Sequence, residues 1–205
     1  MKFEKTQVSN FEGALRGMRN PLNSWDKSDS SWNPLYIGKN DMNLAQRLIS
    51  AGPEHMKFMR QIFVCVDITA PLYWWKEFDT YKVGTAANST STMHKLTSTP
   101  ITKEMFEFDK DWDLTFNMAK ASIVDMCETL RQKYVQTNDK RYWRDLVQIL
   151  PEAWLQTRTV TMSYANLRTM YFQRRNHKLT EWSKDFCNWV ETLPYSKELI
   201  MLEDK

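Results

Sequence analysis

Hydrophobic and polar positions repeat with two different periods along this chain, and together they predict a helix-rich protein with a small sheet. Phe63–Val66 is a short apolar run of the kind found in buried strands. Apolar residues three and four positions apart predict a helix over residues 111–136, and Pro71 is placed for the first turn of a helix over residues 70–82. Further helices are predicted over residues 139–150, which end before Pro151, and over residues 159–175 and 180–193, the last ending at Pro194. A further helix is predicted to begin at a cap formed by Asp41 and to end at Gly52-Pro53. Residues 20–40 and 83–110 have the composition of loops.

The helix predicted over residues 111–136 carries the strongest of these patterns. Its apolar positions have helical spacing and include Leu114, Met118, Ala121, Val124, Cys127, Leu130 and Tyr134. Acidic residues precede it and basic residues follow near its end, as the helix dipole favours. The whole pattern predicts an α+β fold, with a small central antiparallel or mixed sheet, in a single domain over residues 1–205.

Composition excludes several classes of protein. The chain has 205 residues, of which 42% are hydrophobic and 13% aromatic, so it can form a substantial core. A net charge of +3 does not favour a nucleic-acid binder, and no apolar run approaches the roughly 18 residues of a membrane span. Neither the three cysteines nor the three histidines are spaced as metal ligands. We therefore expect a cytoplasmic protein with no bound metal.

A loop of small and hydroxyl-bearing residues follows the helix predicted over residues 70–82. It contains Gly84 and Asn88, with six Ser and Thr residues between Thr80 and Thr92. Such a loop suits a polar ligand that approaches the backbone closely, and Lys82 beside it indicates an anion site. The alternative is an ordinary solvated loop that follows a helix-end lysine.

A second polar cluster lies near the C-terminus. It is composed mainly of the basic residues Arg168, Arg174, Arg175, His177 and Lys178. A guanidinium recognises a planar phosphate or imide with two hydrogen bonds, and it can stabilise negative charge that develops on a pyrimidine ring. The alternative is an exposed basic helix end with a surface histidine.

The order of these features resembles the flavin-dependent thymidylate synthase family. The resemblance covers residues 14 to 190 and begins with the stretches GMRNPLNS and AQRLISAGPEHMKFMRQIFVCVDITAP. Lys76-Glu77 falls where the family has Arg-Gln, and Thr80-Tyr81-Lys82 falls where it has Arg-His-Arg. Asn88 and Ser91 fall on the family's Asn and Ser. Leu150-Pro151 matches its Leu-Pro pair.

The resemblance implies an enzyme that transfers a methylene group from methylenetetrahydrofolate to dUMP, with NADPH reducing a bound FAD. It implies a homotetramer with FAD between subunits, and it places Arg174 on the arginine that contacts the pyrimidine. The residues that it assigns to the cofactor are His55, Lys82, Asn88, Ser163 and Thr169. Those that it assigns to the substrate are Lys76, Glu77, Ser89, Ser91, Arg168 and Arg175, the two arginines as alternatives to Arg174.

Three departures from the family pattern keep other functions open. Of Arg-His-Arg only one charge is retained, as Lys82, while Ser89 replaces an acidic residue and Met93 replaces an arginine. Lysine does not reproduce the two-pronged donor of arginine. A pyrimidine-nucleotide-binding or oligomeric interaction protein with the same fold is therefore the second hypothesis. The third is an unrelated helical module that binds a partner through exposed tryptophans.

Overall fold

A computed structural model describes residues 1–109 and 113–203 of the chain. The chain folds into two compact units, which we describe separately. Unit 1 comprises Met1–Lys2, Ile68–Thr80 and Asn88–Arg158, and unit 2 comprises Phe3–Asp67, Tyr81–Ala87 and Thr159–Lys205. That residues 1–205 form a single domain stays a prediction.

Helices account for most of the regular structure, and the strands are few. The strands are β1 (Lys2–Ser9), β2 (Ser31–Trp32), β3 (Leu35–Tyr36), β4 (Phe63–Pro71), β5 (Ala86–Ser89) and β6 (Leu155–Ser163). Four of them form one sheet in the order β1-β4-β6-β5, and β2 pairs with β3 as a separate antiparallel ribbon. The predicted fold class, a helix-rich protein with a small sheet, is confirmed.

The α-helices are α1 (Phe11–Arg19), α2 (Lys39–Ser50), α3 (Leu72–Phe78), α4 (Thr92–Lys95), α5 (Leu114–Thr137), α6 (Lys140–Ile149), α7 (Tyr164–Arg174) and α8 (Cys187–Glu191). Short 3-10 turns include Met56–Gln61 and Asp79–Tyr81, and π-helical turns cover Glu181–Phe186 and Ser196–Ile200. None of the helices in the described residues has both the length and the apolar character that crossing a bilayer requires.

Unit 1 contains a core formed where α5 packs against α6. Cys127 of α5 and Leu146 of α6 are fully buried there. Helix α3, also in unit 1, carries the buried Trp74 and Trp75, and the indole Nε1 of Trp75 donates to the carbonyl of Gln156 at 3.0 Å. The two tryptophans are therefore buried and are not exposed to solvent.

Unit 2 is built where α1 and α7 both pack against the Met56–Gln61 turn. The buried ring of Phe11 meets the buried ring of Tyr164 edge-on, with centroids 5.5 Å apart. The phenol of Tyr164 donates to the carbonyl of Pro194 at 2.7 Å. These contacts fix the position of α7, the helix that carries the arginine cluster.

Three of the predicted boundaries are wrong. Asp41 is not a cap, because α2 begins after Gly38 and Asp41 lies buried in its first turn. Residues 155–163 form strand β6, so the helix predicted from residue 159 begins at Tyr164. Helix α3 is shorter than predicted, since β4 extends to Pro71 and the helix ends at Phe78.

The α5 pattern is confirmed only in part. Asp113 caps the helix by accepting from the backbone N–H groups of Thr115 and Phe116, whereas the predicted start at Asp111 lies outside the described residues. The face from Val124 onward packs on the unit 1 core. Leu114 and Met118, which the pattern placed on that face, are 76% and 64% exposed.

Asp41 instead organises the loop that precedes α2. It accepts from the guanidinium Nε of Arg19 at 2.6 Å and from the hydroxyls of Ser28 and Ser30 at 2.7 and 2.6 Å. The same guanidinium donates to the carbonyls of Ser24 and Lys27. Burial alone would raise the pKa of the Asp41 carboxyl, but the hydrogen bonds from Ser28, Ser30 and Arg19 outweigh it and lower the pKa.

We predict that Asp41→Asn lowers the free energy of unfolding by about 3–5 kcal/mol near neutral pH, because it leaves the buried Arg19 charge without a counter-ion. Chemical denaturation of Glu54→Gln provides the control. That variant breaks the exposed Lys57–Glu54 pair and should change stability by at most about 1 kcal/mol.

The same variant should show a distinct pH dependence. The folded pKa of Asp41 lies below its unfolded value of about 3.9, so its stabilising effect is fully present above that value. The effect is lost as the pH falls through the folded pKa. The difference in stability between wild type and Asp41→Asn should therefore shrink in acid, and a constant difference would contradict the ion-pair role.

Candidate functional site

The turn after α3 is held by its own backbone within unit 2. The Tyr81 carbonyl accepts from the Thr85 hydroxyl at 2.9 Å, and the Lys82 carbonyl accepts from the Thr85 N–H at 3.3 Å. Gly84 has φ +78°, a conformation that residues with a Cβ rarely adopt. We call residues Tyr81–Thr85 the site turn. Lys82 projects from it as an exposed side chain.

The first turn of α7 fastens to the site turn through Asn166. Ser163 caps α7 by accepting from the Asn166 N–H, and the Asn166 side-chain oxygen accepts from the Ser163 N–H. The amide nitrogen of Asn166 then donates to the Val83 carbonyl at 2.8 Å. One asparagine therefore completes a capping box and anchors the turn.

The last turn of α7 reaches the same segment through Arg174. Its guanidinium Nε donates to the Tyr81 phenol oxygen at 2.8 Å, and that phenol donates to the Gln173 side-chain oxygen at 2.8 Å. The guanidinium carbon lies 5.4 Å from the ring centroid of Tyr81 and 5.0 Å from that of Trp182. Two aromatic faces and one hydrogen bond thus orient a delocalised positive charge.

The other two arginines of α7 bind the C-terminal segment instead. Arg168 is buried and donates through Nη1 to the carbonyls of Ile200 and Leu202. Arg175 pairs with the carboxylate of Glu203, and both guanidinium groups stack on Phe172. This arrangement separates Arg168 and Arg175 from the site turn and leaves Arg174 as the arginine beside it.

A cavity of about 950 Å³ opens elsewhere in unit 2, and we call it the N-terminal pocket. Its walls come from the end of α1 and the loop after it, from one face of α2, and from residues 54–61. Gly17, Pro21 and Ser24 line it, as do Arg47 and His55, and these residues fall within the first two stretches that carry the family resemblance. His55, assigned to the cofactor by that resemblance, lies in this wall.

Basic side chains dominate the charge of the N-terminal pocket. Lys27, Lys39, Arg47 and Lys57 line it, together with one acidic residue, Glu54. Its volume is at the upper end of the range for ligand pockets. Both the size and the charge fit a dinucleotide cofactor such as FAD, whose diphosphate is anionic.

The other predicted cofactor residues on α7 have local structural roles. The hydroxyl of Ser163 caps the helix, and that of Thr169 donates to the Ala165 carbonyl at 3.2 Å. His177 ends the cluster by accepting at Nδ1 from the Leu179 N–H. None of these contacts tests a ligand-binding role.

The remaining predicted site residues lie in unit 1. The ammonium group of Lys76 pairs with Glu152 at 2.6 Å, and the Glu77 carbonyl accepts from the Thr80 hydroxyl. Ser91 caps α4 by accepting from the His94 N–H. Asn88 and Ser89 are exposed on β5. Their roles toward a substrate stay predictions.

Two features of the site escaped the sequence analysis. The pairing of Tyr81 with Arg174 joins residues 93 positions apart and depends on the fold. The basic face of α2 does have a local signal, because Lys39, Asn43 and Arg47 recur every four residues. The spacing alone does not predict a pocket, because the opposite wall is formed by the loop after α1.

No protein-family model and no curated protein matches the chain by sequence. Among solved structures, it is similar to the flavin-dependent thymidylate synthase ThyX from Helicobacter pylori, complexed with FAD and dUMP. In one such structure the TM-score is 0.76 at 16% identity, covering 100% of this chain and 99% of the other. A second ThyX structure from Helicobacter pylori, with FAD and dUMP, gives 0.76 at 15% identity, covering 98% and 97%.

The chain is also similar to the UMP/dUMP methylase PolB from Streptomyces cacaoi, bound with 5-Br dUMP. The TM-score is 0.65 at 14% identity, with coverage of 99% of this chain and 95% of that one. At these identities the similarity establishes the fold, which extends over the whole chain.

We predict that Gly84→Ala destabilises the protein by about 1–2 kcal/mol or more, because it forces a Cβ into a left-handed conformation. The new Cβ would also lie 3.2 Å from the side-chain oxygen of Asn166. Gly52→Ala is the matched control, since Gly52 has φ +103° and a Cβ added there would meet nothing within 4 Å. Denaturation should show a larger loss for Gly84→Ala. Equal losses would mean that the close approach to Asn166 adds nothing to the cost of the left-handed backbone.

Proposed function

We propose that this chain is a flavin-dependent methylating enzyme for dUMP, of the thymidylate synthase type. In this proposal methylenetetrahydrofolate supplies the one-carbon group, NADPH is the reductant and FAD is the bound cofactor. The observation that carries the proposal is the anchoring of Arg174 beside the site turn, in a fold shared with dUMP-binding flavoenzymes.

Arg174 is the residue to which we assign electrostatic activation of the pyrimidine. A guanidinium held by Tyr81 and Trp182 is already oriented, so it can stabilise negative charge on the ring with little reorganisation. The low-dielectric aromatic faces strengthen that interaction. Arg168 and Arg175 are held by the C-terminal segment, which supports Arg174 among the three alternatives.

The N-terminal pocket is the part of this chain that we assign to FAD. When bound, the flavin supplies the redox chemistry of the reaction. His55 and the basic residues of the pocket wall would hold and orient it. Lys82, exposed on the site turn, is assigned to a phosphate of the cofactor or nucleotide.

We also propose that the chain assembles as a homotetramer. Leu114, Phe116 and Met118 at the start of α5 are more than half exposed, which is unusual for neighbouring large apolar side chains. Burying them against another copy would remove this apolar surface from water.

A nucleotide-binding protein without catalysis remains the second candidate. Lys82 is the one charge retained from the family's Arg-His-Arg, and Ser89 and Met93 replace two further charged residues. The third hypothesis, an unrelated helical module, is wrong at the level of the fold, because the chain contains a four-stranded sheet and is similar in fold to the ThyX structure over its whole length.

We predict that the purified protein takes up FAD and binds dUMP, and that Arg174→Ala weakens dUMP binding by about 1.5–3 kcal/mol, the range for losing hydrogen bonds to a charged group. Calorimetry measures the affinity, and Arg175→Ala is the control. Arg175 is the adjacent guanidinium, so its loss should leave dUMP affinity unchanged. Equal losses in both variants would contradict the assignment. Binding of dUMP without FAD-dependent NADPH oxidation would favour the second candidate.

We predict that Lys82→Ala weakens ligand binding by about 1–3 kcal/mol if its ammonium meets a phosphate. Comparing dUMP with deoxyuridine identifies the contact, because only the nucleotide carries the phosphate. If Lys82→Ala weakens dUMP and deoxyuridine equally, the phosphate contact is wrong.

A further inference from the structure

The basic face of α2 forms one side of the N-terminal pocket. Lys39, Asn43 and Arg47 are four residues apart and therefore lie on one face of the helix. The other face holds Asp41, Ala45 and Ile49, all buried. A helix anchored on its buried side presents these three polar groups from a fixed backbone.

Lys27 reaches the same pocket from a loop that is also fixed. The Arg19 guanidinium, itself held by Asp41, donates to the Lys27 carbonyl at 3.1 Å and to the Ser24 carbonyl at 3.2 Å. The buried Arg19–Asp41 pair therefore positions a loop cation and lies under the α2 face. The two walls of the pocket share one structural support.

Three cations of these walls have no carboxylate partner in the part of the chain that the structure describes. Within residues 1–109 and 113–203, no carboxylate forms an ion pair with Lys27, Lys39 or Arg47. Lys57 does pair with Glu54 at 3.7 Å, and both are exposed. Several unneutralised cations around one cavity produce a positive potential that favours an anionic ligand.

The spacing of the cations indicates an extended anion. The backbones of Lys39 and Arg47 are eight residues apart on a helix, which corresponds to about 12 Å along its axis. A lone phosphate would contact only part of this row. Apolar side chains such as Leu44 and Phe58 line the pocket beside the charges and suit a ring system.

We propose that Lys39 and Arg47 of α2, with Lys27 opposite, bind the diphosphate group of a dinucleotide. The identity of that dinucleotide, FAD or NADPH, rests on the function proposed above. The Thr80-Tyr81-Lys82 segment has one cation where the family that the sequence resembles has Arg-His-Arg, whereas α2 carries Lys39 and Arg47. The cations of α2 would then neutralise the diphosphate in this chain. Asn43, between the two cations, adds an amide donor.

The first test uses inorganic pyrophosphate and does not depend on flavin binding. Calorimetry compares wild type with a Lys39→Ala/Arg47→Ala double variant. Lys140→Ala/Arg144→Ala is the matched control, because it also removes one exposed Lys and one exposed Arg from a helix, α6. We expect pyrophosphate affinity to fall about tenfold or more in the α2 variant alone.

A second variant shows whether a loss of binding comes from a folding defect of the double variant. Asn43→Glu keeps both cations and places a carboxylate between them, so it should also weaken pyrophosphate binding, and circular dichroism checks the fold. Failure of wild type to bind pyrophosphate, or equal affinity in the α2 and α6 variants, would overturn the proposal.

Titration with different ligands distinguishes FAD from NADPH as the dinucleotide that carries the diphosphate. FAD, riboflavin (which lacks phosphate) and NADPH are titrated into the same proteins. Loss of FAD affinity without loss of riboflavin affinity in the α2 variant identifies the flavin dinucleotide, and selective loss of NADPH affinity identifies the reductant. A third outcome is that wild type binds pyrophosphate, the α2 variant does not, and wild type takes up no flavin. That outcome would support the diphosphate site and refute the proposed flavoenzyme.

Discussion

The hydrogen bond from Arg174 to the phenol of Tyr81 is the interaction on which the candidate site depends. It joins the end of α7 to the site turn across 93 positions of sequence, and Trp182 completes an aromatic surround for the guanidinium. Asn166 makes a second connection between the same two segments, at the other end of α7. In the resemblance to the family, Tyr81 falls where the family has a histidine.

The positive charge available to a ligand differs between the site turn and the N-terminal pocket. The site turn carries Lys82 as its basic residue, whereas the N-terminal pocket contains several cations on α2 and on the loop after α1. The buried Arg19–Asp41 pair supports both walls of that pocket. A buried ion pair contributes little net stability when compared with apolar residues, but it fixes geometry when its partners are fully hydrogen-bonded. Here the geometry that it fixes belongs to a candidate binding pocket.

Periodicity in the sequence was sufficient for the strand at Phe63–Val66 and for the existence of α5, although it placed the exposed Leu114 and Met118 on the buried face of that helix. It was not sufficient for β6, because residues 159–163, which include the buried Val160 and Met162, were predicted to begin a helix. Asp41 resembles a helix cap locally, and only its partner 22 residues away identifies it as a buried ion pair. The candidate site also required the structure. Arg174 could be proposed from the sequence, but only the structure shows that Arg168 and Arg175 bind the C-terminal segment.

A crystal structure of the protein grown with FAD and dUMP tests the central claim most directly. We predict that the pyrimidine lies within hydrogen-bonding distance of the Arg174 guanidinium, and that the cofactor diphosphate lies beside Lys39 and Arg47 in the N-terminal pocket. Nucleotide bound away from Arg174, with the guanidinium still on Tyr81 and no contact to the ring, would contradict it.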